Sequence, residues 1–280
     1  MTLPPLNMLF KYAAHLAYDG TDYCGWQKQK GSAAAGKPSL QLTVEKSVSK
    51  LTSEEVSIVA SGRTDSGVHA SGQVVHFVVS KKAWDTNILK NGLNSLLPKN
   101  IRIIEVRNVP LDFHAQRTAC RKQYSYYFQQ GPCPLPHIDH FSWWIRKKLD
   151  ASAMEEALQS LIGEHDFKPF QAAGAKPGKT IRTILEADIK AEPVCFPACI
   201  SDNFHFIRMR LVGNGFLKQM VRGIAGTLLQ VGEGRRSSDC IERIIKNGKR
   251  SDVGPTAPAR GLWLERVWYP KQFGLEWDEK

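Results

Sequence analysis

The chain reads as a mixed α/β (α+β) protein of two ferredoxin-like halves, each with a mainly antiparallel sheet. Three observations predict this class. Strand-like and helix-like periods follow one another in the order β-α-β-β-α-β from Phe10 to Val106. A similar order, with insertions, runs from Gln123 to Tyr269. The 280 residues, 42% apolar and 23% charged, make one large domain or two modest ones with a sizeable core.

In the first half, Phe10 to Tyr18 reads as a strand. Leu40, Val44, Val48 and Leu51 recur at helical spacing, so Ser39 to Leu51 is a helix with Ser39 as its N-cap. Val56 to Ala60 and Gln73 to Val79 are strands. Trp84, Ile88, Leu89, Leu93 and Leu96 mark a second helix, stopped by Pro98, before a strand from Ile101 to Val106. In the second half, Gln123 to Phe128 is a strand. Ala151 to Ile162 is a helix after Asp150, and Thr183 to Ile189 and Phe204 to Leu211 are strands around a Pro- and Cys-bearing loop. Gly215 to Val231 is a long helix, Ser238 to Asn247 a short one, and Gly261 to Tyr269 a closing strand. No sequence motif repeats between the halves. The boundary falls near His114 to Ala119, giving 1–115 and 116–280. Two such units set side by side would leave a cleft at their junction.

The formal net charge of +11 points to a polyanionic partner, nucleic acid ahead of membrane. No stretch is apolar enough to span a bilayer. Met1 to Ala17 carries Pro4 and Pro5 and lacks a basic leader, so it is a poor signal peptide. Cys24, Cys120, Cys133 and Cys240 are scattered, and Cys195 and Cys199 have no partner pair at zinc-site spacing. Reduced thiols and a cytoplasmic protein are expected. Lys28 to Pro38 reads as a basic, Gly/Ala-rich mobile loop. Arg146-Lys147-Lys148 and Arg235-Arg236 are short basic runs. Such runs are usually solvated faces, and on a basic chain they also suit phosphate contacts.

Three segments have the composition of a reactive site. The first is Gly62-Arg63-Thr64-Asp65-Ser66-Gly67, a glycine-flanked carboxylate between two strands, which could aim Asp65 into a cleft. The plainer reading is an Asp that caps a turn. The second is Arg121-Lys122-Gln123-Tyr124-Ser125-Tyr126-Tyr127-Phe128. Alternation puts Tyr124, Tyr126 and Phe128 on one face, suited to stacking a nucleobase or, more plainly, to filling a core. The third is the helix around Arg222. Its apolar face holds Phe216, Leu217, Met220, Val221, Ile224 and Leu228, while Arg222 points away and Lys218 lies one turn before it. Gly223 and Gly226 leave the polar flank thin enough for a ligand or strand to approach, or the helix is a core helix with a solvated arginine. His69, His76, His137, His140 and His165 show no metal spacing, and GxGxxG, Walker and HExxH patterns are absent. Asp65-Ser66-Gly67 matches the triplet of aspartic proteases. That chemistry needs a second carboxylate copy, and an adjacent arginine opposes proton sharing.

Taken in order, seven segments resemble the tRNA pseudouridine synthase A (TruA) family. They are Tyr18-Asp19-Gly20-Thr21-Asp22-Tyr23-Cys24-Gly25-Trp26-Gln27, then Gly62-Arg63-Thr64-Asp65-Ser66-Gly67-Val68-His69-Ala70, then Asp112-Phe113-His114-Ala115. They continue with Tyr124-Ser125-Tyr126, Gly163-Glu164-His165-Asp166-Phe167, Phe216-Leu217-Lys218-Gln219-Met220-Val221-Arg222 and Ala259-Arg260-Gly261-Leu262. The resemblance implies an isomerase that converts uridine to pseudouridine at positions 38 to 40 of the tRNA anticodon stem-loop. It also implies two ferredoxin-like halves and a homodimer holding tRNA. The family's catalytic aspartate falls on Asp65, its active-site tyrosine on Tyr124 and its helix arginine on Arg222. Arg63 is a further candidate for substrate binding, through the phosphate of a flipped nucleotide. The reaction changes no oxidation state, so no nicotinamide, flavin or metal cofactor is expected. Ser66 stands where the family more often has alanine, a small residue for a small one, with little effect expected. The segment Lys30 to Lys37 is longer than is usual in the family.

Two readings from other classes compete. A non-catalytic RNA-binding protein would explain the charge and the aromatic strand but leaves the Asp65 loop without a purpose. A nucleoside or glycoside hydrolase would use Asp65 at C1′, yet glycosidases pair two carboxylates and no second acid has comparable context.

Overall fold

A computed structural model describes residues 9–28, 36–175, 177–193 and 203–277. Cys195, Cys199 and most of the Lys28 to Pro38 loop lie outside the described residues. In chain order the elements are β1 (Phe10–Tyr18), α1 (Leu40–Thr52), β2 (Val59–Ala60), β3 (His69–Val79), α2 (Thr86–Leu96), β4 (Ile101–Asn108) and β5 (Arg121–Gln130). They continue with β6 (Trp143–Ile145), α3 (Ala151–Gln159), β7 (Gly163–Asp166), β8 (Ile181–Pro193), β9 (His205–Gly213), α4 (Met220–Gly232), α5 (Cys240–Asn247) and β10 (Leu262–Trp268). The class is mixed α/β with mainly antiparallel strands, as the sequence predicts. Contacts divide the chain into two compact units, Met1–Cys120 with Leu264–Lys280, and Arg121–Trp263.

In the first unit the sheet order is β4-β1-β3, with β2 and β10 pairing β3 on its other edge. Tyr12, Ala14, Leu16 and Tyr18 on β1 and Val74, Val75, Phe77 and Val79 on β3 are buried. Leu40, Val44 and Val48 of α1 and Leu89 and Leu93 of α2 supply the apolar helix faces. The caps follow the sequence. Ser39 Oγ accepts from Leu42 N, and α2 gives way at Leu97, where the following Pro98 favours extended backbone. The β1–β3 register slips between Leu16 and Tyr18. Such an irregularity re-aims side chains, and here it falls where Tyr18 meets the loop that carries Asp65.

In the second unit the strands run β5-β9-β8-β7, with the short β6 parallel to β5. Asp150 Oδ1 accepts from Ala153 N and caps α3. Several expected elements differ in their bounds, and two of them, one in each unit, start late by more than a helical turn or half a strand. The long helix expected from Gly215 begins only at Met220, because Gln219 adopts a left-handed backbone with φ 61°. The strand expected over Val56 to Ala60 pairs only at Val59 and Ala60, opposite His76 and Val75.

Candidate active site

The Asp65 loop joins β2 to β3, as the sequence predicts. Thr64 is buried, Asp65 half-buried and Arg63 exposed. The turn after the aspartate is closed by Val68 N donating to Asp65 O (3.2 Å), with Gly67 at φ 76°. The loop rests on the segment that follows β1. Trp26 N donates to Thr64 O (3.0 Å), and Ser66 Oγ donates to Tyr23 O (2.9 Å). Gly25 makes this approach possible. Its φ is 105°, and a Cβ there would lie 2.8 Å from Thr64 O. Behind the loop, the Tyr18 hydroxyl and Thr64 Oγ1 are 2.8 Å apart and buried. Burial pushes the Tyr18 phenol up to about 12, so it stays neutral across the physiological range.

On β5, Tyr126 and Phe128 are fully buried, and the Tyr126 hydroxyl donates to Pro258 O (2.8 Å). Burial raises the Tyr126 phenol, while the positive Arg222 and Arg260 act in the opposite direction. For Tyr126 and Phe128 the core reading holds. Tyr124 differs. It is 8% exposed, and its ring stands edge-on to Phe216, with centroids 4.9 Å apart. Two residues before it, on the same strand face, the Lys122 ammonium is lowered to about 8 by burial and then by the neighbouring Arg182. The contact of Tyr124 with Phe216 and the burial of Lys122 beside Arg182 have no local signal in the sequence. The partners lie far away in sequence, so only the aromatic run itself was visible.

Arg222 sits in the first turn of α4 and is half-buried. Its Nε donates to Ala257 O (2.7 Å), and Ala257 N donates back to Arg222 O (3.1 Å). The expected thin polar flank of this helix is covered. Gly223 and Gly226 are buried, and a Cβ at Gly226 would lie 1.6 Å from Pro255 O. The backbone of the 253–257 segment takes the close approach that these glycines permit. Nearby in the same unit, Arg260 Nη1 donates to Asp139 Oδ2 (2.9 Å). The guanidinium of Arg222 is therefore oriented through a carbonyl, by a segment that α4 itself holds in place.

Asp65 and Arg63 thus belong to the first unit, and Tyr124 and Arg222 to the second. Among the described residues no three His, Cys, Asp or Glu side chains gather as metal ligands, and no helix is long and apolar enough to cross a membrane. Cys24, Cys120, Cys133 and Cys240 are free thiols. The family model for tRNA pseudouridine synthases matches residues 14–116 and 157–270, most of the chain and three of the four candidate residues, Arg63, Asp65 and Arg222. The chain belongs to the tRNA pseudouridine synthase family. As a member it is an isomerase that forms pseudouridine in tRNA. It is 37% identical over 262 residues to "tRNA pseudouridine synthase A" of Sinorhizobium fredii, covering 92% of this chain and 99% of that protein. "tRNA pseudouridine synthase A 1" of Desulfotalea psychrophila is 38% identical over 91% of this chain and 97% of its own length. The Lactococcus lactis protein of the same name as the first is 38% identical over 92% and 97%. Among solved structures, a Cbf5-Nop10-Gar1 complex aligns with 78% of this chain and 54% of its own at 11% identity and a TM-score of 0.28, too remote to bear on the fold.

Proposed function

We propose that this synthase acts on uridines at positions 38, 39 or 40 of the tRNA anticodon stem-loop, with Asp65 as its catalytic carboxylate. The observation that carries the reading is a half-buried aspartate on a loop held at the backbone carbonyls of Thr64 and Asp65 and at the Ser66 hydroxyl. Isomerisation breaks the N1–C1′ bond, turns the base and forms the C5–C1′ bond. The C5 proton leaves and N1 gains one, so oxidation states are unchanged. A carboxylate can assist as nucleophile at C1′ or on the base, or as the acceptor of a proton. Tyr124 supplies a ring to stack on the detached base and keep it from escaping. Arg222 and Arg63 supply guanidinium groups for the phosphates that flank an everted nucleotide. Unstacking the uridine costs a few kcal/mol. Contacts from a chain of net charge +11 offset that cost and make binding salt-dependent. The working form is a cytoplasmic homodimer acting without a cofactor. Its partner is tRNA, not a membrane.

The test is a map of modified uridines in tRNA from cells lacking this protein, before and after it is restored. Pseudouridine is expected to disappear from positions 38 to 40 and to return on restoration. Its persistence there, with loss elsewhere, would assign the enzyme another target.

A further inference from the structure

We propose that the segment Tyr18 to Trp26 is a positioning element for the carboxylate of Asp65, acting chiefly through the hydroxyl pair Tyr18–Thr64. The proposal rests on the reading of Asp65 as the catalytic group. The segment comes from the first of the motifs that carry the family resemblance, and the chemistry above gives that motif no task. Its residues are arranged to hold the loop. Tyr18 meets Thr64 through its hydroxyl, Trp26 meets Thr64 O through its amide, and Tyr23 O receives the Ser66 hydroxyl. Gly20 lies so close that a Cβ there would sit 2.0 Å from Val68 O, and its N–H donates to Nδ1 of the buried His69 (3.1 Å). Four of the six residues from Thr64 to His69 are therefore touched by one short stretch of chain, on both sides of Asp65.

The hydroxyl pair ends a buried chain of hydrogen bonds. Val74 N (3.2 Å) and Ser61 Oγ (2.6 Å) both donate to Gln73 Oε1. Gln73 Nε2 then donates to Gly62 O (2.9 Å) and to the Tyr18 hydroxyl oxygen (3.4 Å). The Tyr18 hydroxyl, while accepting from Gln73, shares a hydrogen bond with Thr64 Oγ1 in which either hydroxyl can donate. Ser61 and Gln73 are fully buried, and Tyr18 and Thr64 nearly so. Buried polar groups cost stability unless paired, and an apolar set of the same shape would serve a purely structural loop as well or better. What a hydrogen-bonded relay adds is angle, because each bond has a preferred geometry. It holds the chain just before Asp65, at Gly62 O and the Thr64 side chain, while the Ser66 hydroxyl bond to Tyr23 O holds it just after; misplacing a reacting group by about 1 Å costs on the order of 100-fold in rate. The high phenol pKa keeps the relay in one protonation state, so it acts by geometry and not by titration. Ser66 adds a bond that alanine at this position could not make, since its hydroxyl donates to Tyr23 O.

The experiment compares single-turnover rates and tRNA affinity for Thr64→Val, Thr64→Ser, Tyr18→Phe, Ser66→Ala and Asp65→Asn, each checked for native circular dichroism at the assay temperature. Thr64→Val keeps the shape and removes the hydroxyl. It is expected to lose about 10- to 100-fold in kcat with KM for tRNA unchanged. Thr64→Ser restores most of the rate, Tyr18→Phe behaves as Thr64→Val, and Ser66→Ala shows the smallest loss. A folded Thr64→Val enzyme at the wild-type rate, or Thr64→Ser as slow as Thr64→Val, overturns the proposal. If Thr64→Val does not fold, Tyr18→Phe decides, and the wild-type rate in that variant is equally fatal. An inactive Asp65→Asn beside a fully active Thr64→Val removes only the positioning role. A fully active Asp65→Asn removes the catalytic reading on which it rests.

Discussion

Around Asp65 the supporting contacts are hydroxyls, amides and backbone carbonyls, buried and directional: Tyr18, Thr64, Gln73 and Ser61 beneath the loop, and Trp26 N above Thr64. Around Tyr124 and Arg222 the support is of another kind. Tyr124 leans edge-on against Phe216, and Arg222 donates from Nε to the backbone carbonyl of Ala257. The first arrangement fixes the angle of a short side chain. The second fixes a surface, against which a flat base or a phosphate can settle with small adjustments. A group that makes or breaks bonds needs the former, and groups that hold a substrate manage with the latter.

The sharpest way to break this contrast is at its centre. Asp65→Ala is expected to lower pseudouridine formation by about 1,000-fold or more, while tRNA binding, measured by filter retention, survives. Parallel loss of binding would put Asp65 among the substrate-holding groups instead. A smaller effect is expected at the stacking surface. Tyr124→Ala should cost about 10- to 100-fold in turnover, in line with the loss of one base–aromatic stack, and Tyr124→Phe should cost less. Equal losses in the two variants would assign the work to the hydroxyl. The smallest effect concerns stability on β3, the strand that leaves the Asp65 loop. Burial, and then the positive Lys11, His114 and Arg117, hold the His76 imidazole down to about 4. The neutral ring accepts from Ala115 N (3.1 Å). Because the folded value lies below the ordinary 6.5, this contribution is complete above about pH 6.5 and is lost as the pH falls toward 4. The loss amounts to at most about 3 kcal/mol. The melting temperature of the wild type should therefore fall more steeply between pH 7 and 4.5 than that of His76→Gln. Equal slopes would show that His76 is not the group responsible.

Much of this was legible in the sequence because it rests on local pattern. Apolar spacing and capping residues placed α1, α2, α3 and α5 close to their bounds, and the glycines around Asp65 announced a turn. Other features depend on partners distant in the chain. The run from Phe216 reads as continuous helix, yet the left-handed Gln219 delays α4 to Met220. β7, Gly-Glu-His-Asp, has no apolar face to reveal it and pairs only because β8 lies alongside. The final strand carries no mark that its residues from Leu264 onward group with the first unit. Gly226 signalled a close approach without saying that Pro255 would make it. At the site, the carboxylate was visible as a motif. The relay that holds its loop was not, because Tyr18 lies 46 residues before Thr64.

Participation of the Asp65 carboxylate in the chemistry at the uridine is read out by tritium release from tRNA carrying 5-tritiated uridine, with wild-type, Asp65→Asn and Asp65→Ala enzymes compared at equal bound tRNA. Release is expected from the wild type and none above background from either variant. Full release by both would remove Asp65 from the mechanism.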